Sequence, residues 1–269
     1  MAVAQQTPCR RVPLLTLDPD LGALLSEQQL AAARSDLAVP LLALAQGEWA
    51  GGELSSASPD HLGLLVVRGT IAREVVLADT TSTELLGPGD LIRPWPHESG
   101  AELLEHGVRW QVLSEARLAV LDRDFGAAVL RFPEINSMVF DRLNARVERL
   151  AAMKAIAQLI CVDRKLIALF WHLAERWGRV TPDGVVVPLT LSHRVLGELV
   201  GARRPTITAA LAALARTGEL LRQRDGSWML TGTAAGAPRG ERVVSQRRRG
   251  RVERPPASPP GLVTPHLVA

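Results

Sequence analysis

Residues 190–230 read TLSHRVLGELVGARRPTITAALAALARTGELLRQRDGSWML, and three local signals follow one another in that stretch. Thr190-Leu191-Ser192 precedes a short helix, His193 to Val200. The Ser192 hydroxyl suits an N-cap, and Val195, Leu196 and Leu199 form the buried side. Gly201-Ala202 then makes a tight turn. A second helix is predicted from Arg203 or Arg204 to Thr217, with Pro205 in its first turn, where a missing N–H does no harm. Ile207, Leu211 and Leu214 recur at i, i+4 and i+7 and pack inward. Leu220–Arg224 and Ser227–Leu230 flank Asp225-Gly226, a two-residue hairpin turn by its chemistry. Helix, glycine turn, helix and β-hairpin together predict a winged helix-turn-helix.

If the apolar residues of the second helix face inward, Arg203, Arg204, Thr206, Thr208 and Ala209 face out, clustered at its N-terminal end. That chemistry suits double-stranded DNA. A guanidinium can pair with both acceptors of a guanine edge, and a threonine can donate to phosphate or touch a thymine methyl. A helix N-terminus also attracts phosphate. The DNA-binding candidates are Ser192, His193, Arg194, Arg203, Arg204, Thr206 and Thr208. An Arg-Arg pair in isolation is an ordinary solvated helix start, so the three-part setting gives this one its meaning.

Upstream, residues 62–121 hold short alternating or β-branched runs separated by turn signals. Leu62–Val67 and Thr70–Leu77 flank Arg68-Gly69. Glu84–Leu86 leads into Gly87-Pro88-Gly89-Asp90, and Trp110–Leu113 and Leu118–Leu121 complete the set, as in a β-barrel or roll. A helix is expected over Ser26–Arg34. From Ile135 to Cys161 there is neither glycine nor proline. Phe140, Leu143, Val147 and Leu150 form a heptad-like seam there, continued by Ala157 and Cys161. Such a helix is roughly 40 Å long at 1.5 Å per residue, and so narrow a stripe suits pairing with a second copy. Asp163 reads as the N-cap of a further helix, Arg164 to Trp177, and Cys161 as a small buried hydrophobe.

The 269 residues are 47% hydrophobic and 22% charged, enough for a sizeable core and two domains. Net charge is +3, unevenly placed: residues 234–269 carry seven arginines and two glutamates. This tail is expected to be disordered. No apolar stretch approaches a membrane span and no secretory leader is evident, so the expected address is the cytoplasm. Gly-x-Ser-x-Gly, His-Glu-x-x-His and phosphate-loop motifs are absent from the sequence, which argues against an enzyme. Asp122 and Asp124 read as the entry to a helix.

The stretch Leu191–Leu230, centred on Gly-Ala-Arg-Arg-Pro-Thr-Ile-Thr, resembles the DNA-binding domain of the cyclic-AMP receptor and fumarate–nitrate regulator (CRP/FNR) family. Gly87-Pro88-Gly89-Asp90-Leu91 resembles that family's turn before its ligand cassette. The resemblance implies an α+β chain: a double-stranded β-helix (a cyclic-nucleotide-binding-like roll) over 14–133, a dimerisation helix over 134–161, and a winged helix-turn-helix over 162–233. Its dimer seam would be Phe140, Leu143, Val147, Leu150 and Ala157. It further implies palindromic DNA sites, a homodimer and RNA polymerase as a partner. Arg204 takes the guanine-reading place, Arg203 and Thr206 fall on backbone or base positions, and Ser192 and His193 on phosphate positions. The family's acidic base-reader falls on Pro205 and its second arginine on Ala209, so the target sequence should differ from the family's best-known palindromes.

The effector is less legible. Cyclic-nucleotide members of the family carry Phe-Gly-Glu-Leu and then Arg-Ser-Ala or Arg-Thr-Ala. Here Leu91-Ile92-Arg93-Pro94-Trp95-Pro96-His97 follows the turn, and Arg109 stands one position out of register, which reverses its face on a strand. Cyclic AMP is therefore disfavoured. Arg93, Trp95, His97 and Arg109 are the candidate effector residues, lining a small anion pocket. A cyclic-nucleotide regulator with an atypical pocket, and a constitutive regulator whose roll is only a dimer scaffold, stay open as alternatives. Two cysteines, Cys9 and Cys161, do not suffice for an iron–sulfur cluster. Glu102, Glu105 and His106 share a helix face by spacing and are read as a polar surface helix, with no metal site.

Overall fold

The computed structural model describes residues 11–51, 61–95 and 104–232. Cys9, His97, Glu102 and the arginine-rich tail lie outside them. Strands β1 (Val12–Pro13) and β2 (Ala38–Val39) form a small ladder. The main sheet holds β3 (Leu41–Leu44), β4 (Gly47–Trp49), β5 (Gly63–Leu77), β6 (Thr80–Leu86), β7 (Leu91–Ile92) and β8 (Gly107–Leu121). Its order is β3-β8-β5-β6, with β4 paired to β8 and β7 to β5, every pair antiparallel.

The sequence reading of separate strands around Arg68-Gly69 needs correction. The chain does not turn back there. β5 runs 15 residues, and its register against β8 shifts at Val66/Arg68, Arg68/Thr70 and Thr70/Ile71. These irregularities bend one strand through both layers of the roll, as bulges do. Gly69 has φ +91°, and a Cβ there would collide with the Glu115 carbonyl and Ala116. It is a bulge residue of a continuous strand. Likewise Trp110–Leu113 and Leu118–Leu121 are two parts of the single strand β8.

The roll interior is filled by Leu64, Val66, Ile71, Leu86, Ile92 and Trp110, the last edge-on to Trp49 at 5.9 Å. A second apolar layer forms outside it. There α1 (Leu14–Leu17), a 3₁₀ turn (Pro19–Gly22), α2 (Glu27–Asp36) and α3 (Arg123–Val129) pack on Leu65, Ala119 and Leu121. Ser26 and Gln29 form a capping box on α2. Asp122 caps α3 by accepting from the Phe125 N–H at 3.0 Å, the helix entry its sequence suggests. Leu104–His106 is non-helical and leads straight into β8, so the surface helix expected there is not formed over those residues.

Helix α4 spans Pro133–Ala157 and stops before the expected Cys161, because the chain must turn through Gln158–Ile160 into α5 (Val162–Trp177). Cys161 is the N-cap of α5 and is exposed rather than buried; Asp163 sits in the first turn, where its charge favours the helix. Leu166, Ile167, Leu169, Phe170 and Leu173 bury as their spacing predicts. Strands β9 (Arg179–Thr181) and β10 (Gly184–Val187), too short to stand out in the sequence, form a hairpin. The chain then adds α6 (His193–Val200), α7 (Arg204–Thr217), β11 (Leu220–Arg222) and β12 (Trp228–Leu230), the last two joining the hairpin in a sheet ordered β11-β12-β10-β9.

Candidate nucleic-acid interface

Ser192 caps α6: its hydroxyl accepts from the Val195 N–H at 3.2 Å. Gly201 closes the helix in a left-handed conformation. Gly197 is buried, and the Ala202 carbonyl would lie 2.5 Å from a Cβ placed on it. Only a residue without a side chain lets the turn after α6 fold back so closely on the helix. Ile207, Ala210, Leu211 and Leu214 bury one side of α7, joining Leu196 and Leu199 and the α5 face in one core. Arg203, Arg204, Pro205, Thr206, Thr208 and Ala209 are all exposed, the disposition the periodicity predicts. Neither Arg203 nor Arg204 pairs with a carboxylate among the described residues.

Three of the expected DNA-contact residues are otherwise engaged. The Thr208 hydroxyl donates to the Arg204 carbonyl at 3.1 Å, and the His193 Nδ1 lies 2.9 Å from the Thr208 hydroxyl oxygen. Since that proton is given to the carbonyl, the His193 Nδ1 must carry the hydrogen of the second bond. Together they tie α6 to the head of α7. Arg194 turns toward the roll: it donates to Glu74 at 3.1 Å, Glu198 at 2.7 Å and Gln111 at 2.7 Å. Burial works against its charge, but Glu198 and Glu74 outweigh it and raise the guanidinium pKa. Thr83 of β6 also donates to Glu198, at 2.8 Å. Arg194 thus clasps the roll and is not free at this surface.

The wing differs in its turn from the sequence reading. β11 and β12 pair up to Arg222↔Trp228, and the Gln223 N–H donates to the Ser227 carbonyl at 2.8 Å. The Gly226 N–H reaches Gln223 at 3.1 Å and Gly226 has φ +85°, so the loop has three residues, Arg224-Asp225-Gly226, ending in a glycine bulge. Asp225 accepts from the Ser227 hydroxyl at 2.6 Å and its N–H at 2.9 Å, which lowers its pKa. Arg224 is exposed at this tip, and Arg222 lies over the Trp228 ring at 5.5 Å.

The inner face of α4 carries its own arginines. Arg142 binds Asp18 at 2.5 and 2.8 Å, and Arg146 binds Glu84 at 2.6 and 2.8 Å. The hydrogen bonds that Arg146 donates to the Glu84 carboxylate raise its pKa. Asp90, in the Gly87-Pro88-Gly89-Asp90 turn, is buried; it accepts from the Gly87 N–H at 2.8 Å, Arg149 at 2.5 Å and Arg176 at 2.7 Å. One carboxylate therefore joins the roll to α4 and α5. The outer face of α4 carries an apolar stripe: Phe140, Val147 and Leu150 are 71%, 63% and 42% exposed, while Leu143 and Ala157 are half-buried.

Of the candidate effector residues His97 lies outside the described ones, and Arg93 and Arg109 are not brought together. Arg93 donates to the His61 carbonyl at 3.0 Å and lies over Trp95 at 5.6 Å, beside the Leu64↔Ile92 pairing. Arg109 stands opposite Glu74, ten positions further along β5, and pairs with it at 3.3 Å. The strand register carries the two arginines to different ends of β5, so the expected anion pocket is not formed by them.

No protein-family model matches the chain. It is similar to the global nitrogen regulator of Synechococcus elongatus, 26% identical over 87 residues, which are 32% of this chain and 39% of that protein. It is also similar to the CRP-like cAMP-activated global transcriptional regulator of Mycobacterium tuberculosis, 27% identical over 154 residues, 56% of this chain and 64% of that protein. The chain thus matches less than two thirds of the length of either relative. In fold it is similar to a cyclic nucleotide-binding domain containing protein of Listeria monocytogenes, with TM-score 0.58 and 17% identity over 79% of this chain and 96% of that one.

Proposed function

We propose that this chain is a transcription regulator of the CRP/FNR type that binds double-stranded DNA as a homodimer, a reading supported by its similarity to CRP-like regulators. The observation that carries the reading is the head of α7, where Arg203, Arg204 and Thr206 are exposed and the two guanidiniums have no carboxylate partner among the described residues. In the major groove Arg204 reads a guanine edge, and Arg203, Thr206 and Ser192 hold backbone or bases. His193 and Thr208 contribute chiefly by fixing α6 against α7. The exposed seam Phe140–Val147–Leu150 pairs two copies, and a two-fold dimer requires a palindromic site. Such a regulator acts in the cytoplasm and meets RNA polymerase at its promoters. Cyclic AMP is disfavoured as its effector: among the described residues Trp110 and its apolar neighbours occupy the roll interior, and Arg109 is paired with Glu74.

Fluorescence anisotropy of the full chain on its own upstream DNA, against random competitor, tests this. Specific binding that ignores cyclic AMP is expected. Equal affinity for both DNAs would refute the reading, and binding only with the nucleotide would overturn the effector part. For the dimer, Val147→Glu should convert the protein to monomers in sedimentation, and an unchanged dimer would remove α4 as the seam.

A further inference from the structure

A cavity of about 320 Å³ lies where the roll, α4 and the winged-helix unit meet. That volume is in the range of small-molecule sites. Leu85 of β6, Met153 of α4, Trp177 of α5 and Leu199 of α6 contribute its apolar walls. The roll interior, by contrast, is occupied by side chains among the described residues.

Charge around the cavity is unevenly satisfied. Arg149 and Arg176 border it, but both are matched to Asp90. Arg73 lies 3.9 Å from Glu84, a carboxylate already held at both oxygens by Arg146. Lys154 is exposed and has no carboxylate partner among the described residues. Two cations with little or no compensation therefore stand beside a cavity whose wall is mostly apolar and whose other charged groups, Glu84, Arg149 and Arg176, are already in ion pairs, which suits a ligand that is apolar at one end and anionic at the other.

We propose that this cavity is an effector site for a small amphipathic monoanion, its aryl or alkyl body among Leu85, Met153 and Trp177 and its acid group at Arg73 and Lys154. The word effector rests on the DNA-binding reading above; the site itself does not. A ligand here touches the roll, the long helix and α6 at once, so its occupancy favours one placement of α6 against the roll over others.

The probe is 8-anilinonaphthalene-1-sulfonate, titrated by fluorescence into the full chain without DNA and competed with decanoate. Saturable binding of one probe per chain is expected. Lys154→Gln should weaken it about tenfold. Met153→Trp, which fills the cavity, should abolish it, and Arg34→Gln on α2 should leave it unchanged. Circular dichroism confirms that each variant is folded. No saturable binding, or equal affinity in Lys154→Gln and Met153→Trp, would overturn the site. Saturating decanoate should then shift affinity for the upstream DNA by about fivefold or more; no shift would leave a ligand site and overturn its role as effector. A protein that binds the probe but no DNA would sink the proposed function and leave the cavity assignment standing.

Discussion

The inner face of α4 and the head of α7 both present arginines, yet the two sets are in opposite circumstances. Arg142, Arg146 and Arg149 each meet a carboxylate of the roll or its N-terminal flank: Asp18, Glu84 and Asp90. Arg203 and Arg204 meet none among the described residues. Arginine therefore serves the fold where acids converge on it, and remains available to phosphate or guanine where they do not. Arg194 stands between the cases. It sits on the helix-turn-helix, but Glu74 and Gln111 of the roll hold it.

Breaking the first set should produce the largest effect. Asp90→Ala leaves Arg149, Arg176 and the Gly87 N–H without their shared acceptor, and should cost about 3–5 kcal/mol in urea unfolding. A loss within the error of the measurement would mean that the pairing is incidental. Perturbing the second set should spare stability and strike binding. Arg204→Ala should lose about 1–3 kcal/mol on the specific site and relax base preference at one position. Equal losses on specific and random DNA would contradict base reading.

The intermediate case can be moved from one class to the other. Glu74→Gln weakens the hold on Arg194, so DNA affinity should rise severalfold, with a salt dependence steeper by about 0.9 in log–log slope for one added phosphate contact. Unchanged affinity would show that Arg194 belongs to the fold alone. The smallest effect concerns His172 on α5, whose pKa is lowered by burial and by Arg149, against the opposing pull of Glu175. The unfolded chain binds this proton more readily than the folded one, so stability falls as pH drops below the ordinary histidine value of about 6.5. His172→Gln should flatten that part of a Tm series between pH 7.5 and 5.5, and an identical slope would exclude this histidine as its source.

The helix-turn-helix was legible because its signals are local. A serine cap, a glycine stop, a proline in the first turn and an apolar repeat are all read within a few residues of chain. The outward placement of Arg203, Arg204 and Thr206 followed from the same periodicity. Locality also explains the misreadings. Arg68-Gly69 resembles a turn until the close approach of Glu115 and Ala116 shows why a glycine stands in a continuous bent strand. Arg93 and Arg109 looked like partners because they are near in sequence, but the strand register separates them.

The sequence by itself therefore determined the main helices, the order of roll, long helix and helix-turn-helix, and the face that α7 leaves exposed. Only the tertiary structure decided which charges are neutralised: Arg142 meets Asp18 across 124 positions and Arg194 meets Glu74 across 120. Propensity and periodicity act over a turn or two of backbone, whereas an ion pair depends on distance in space, and chain folding sets that distance without regard to separation along the sequence.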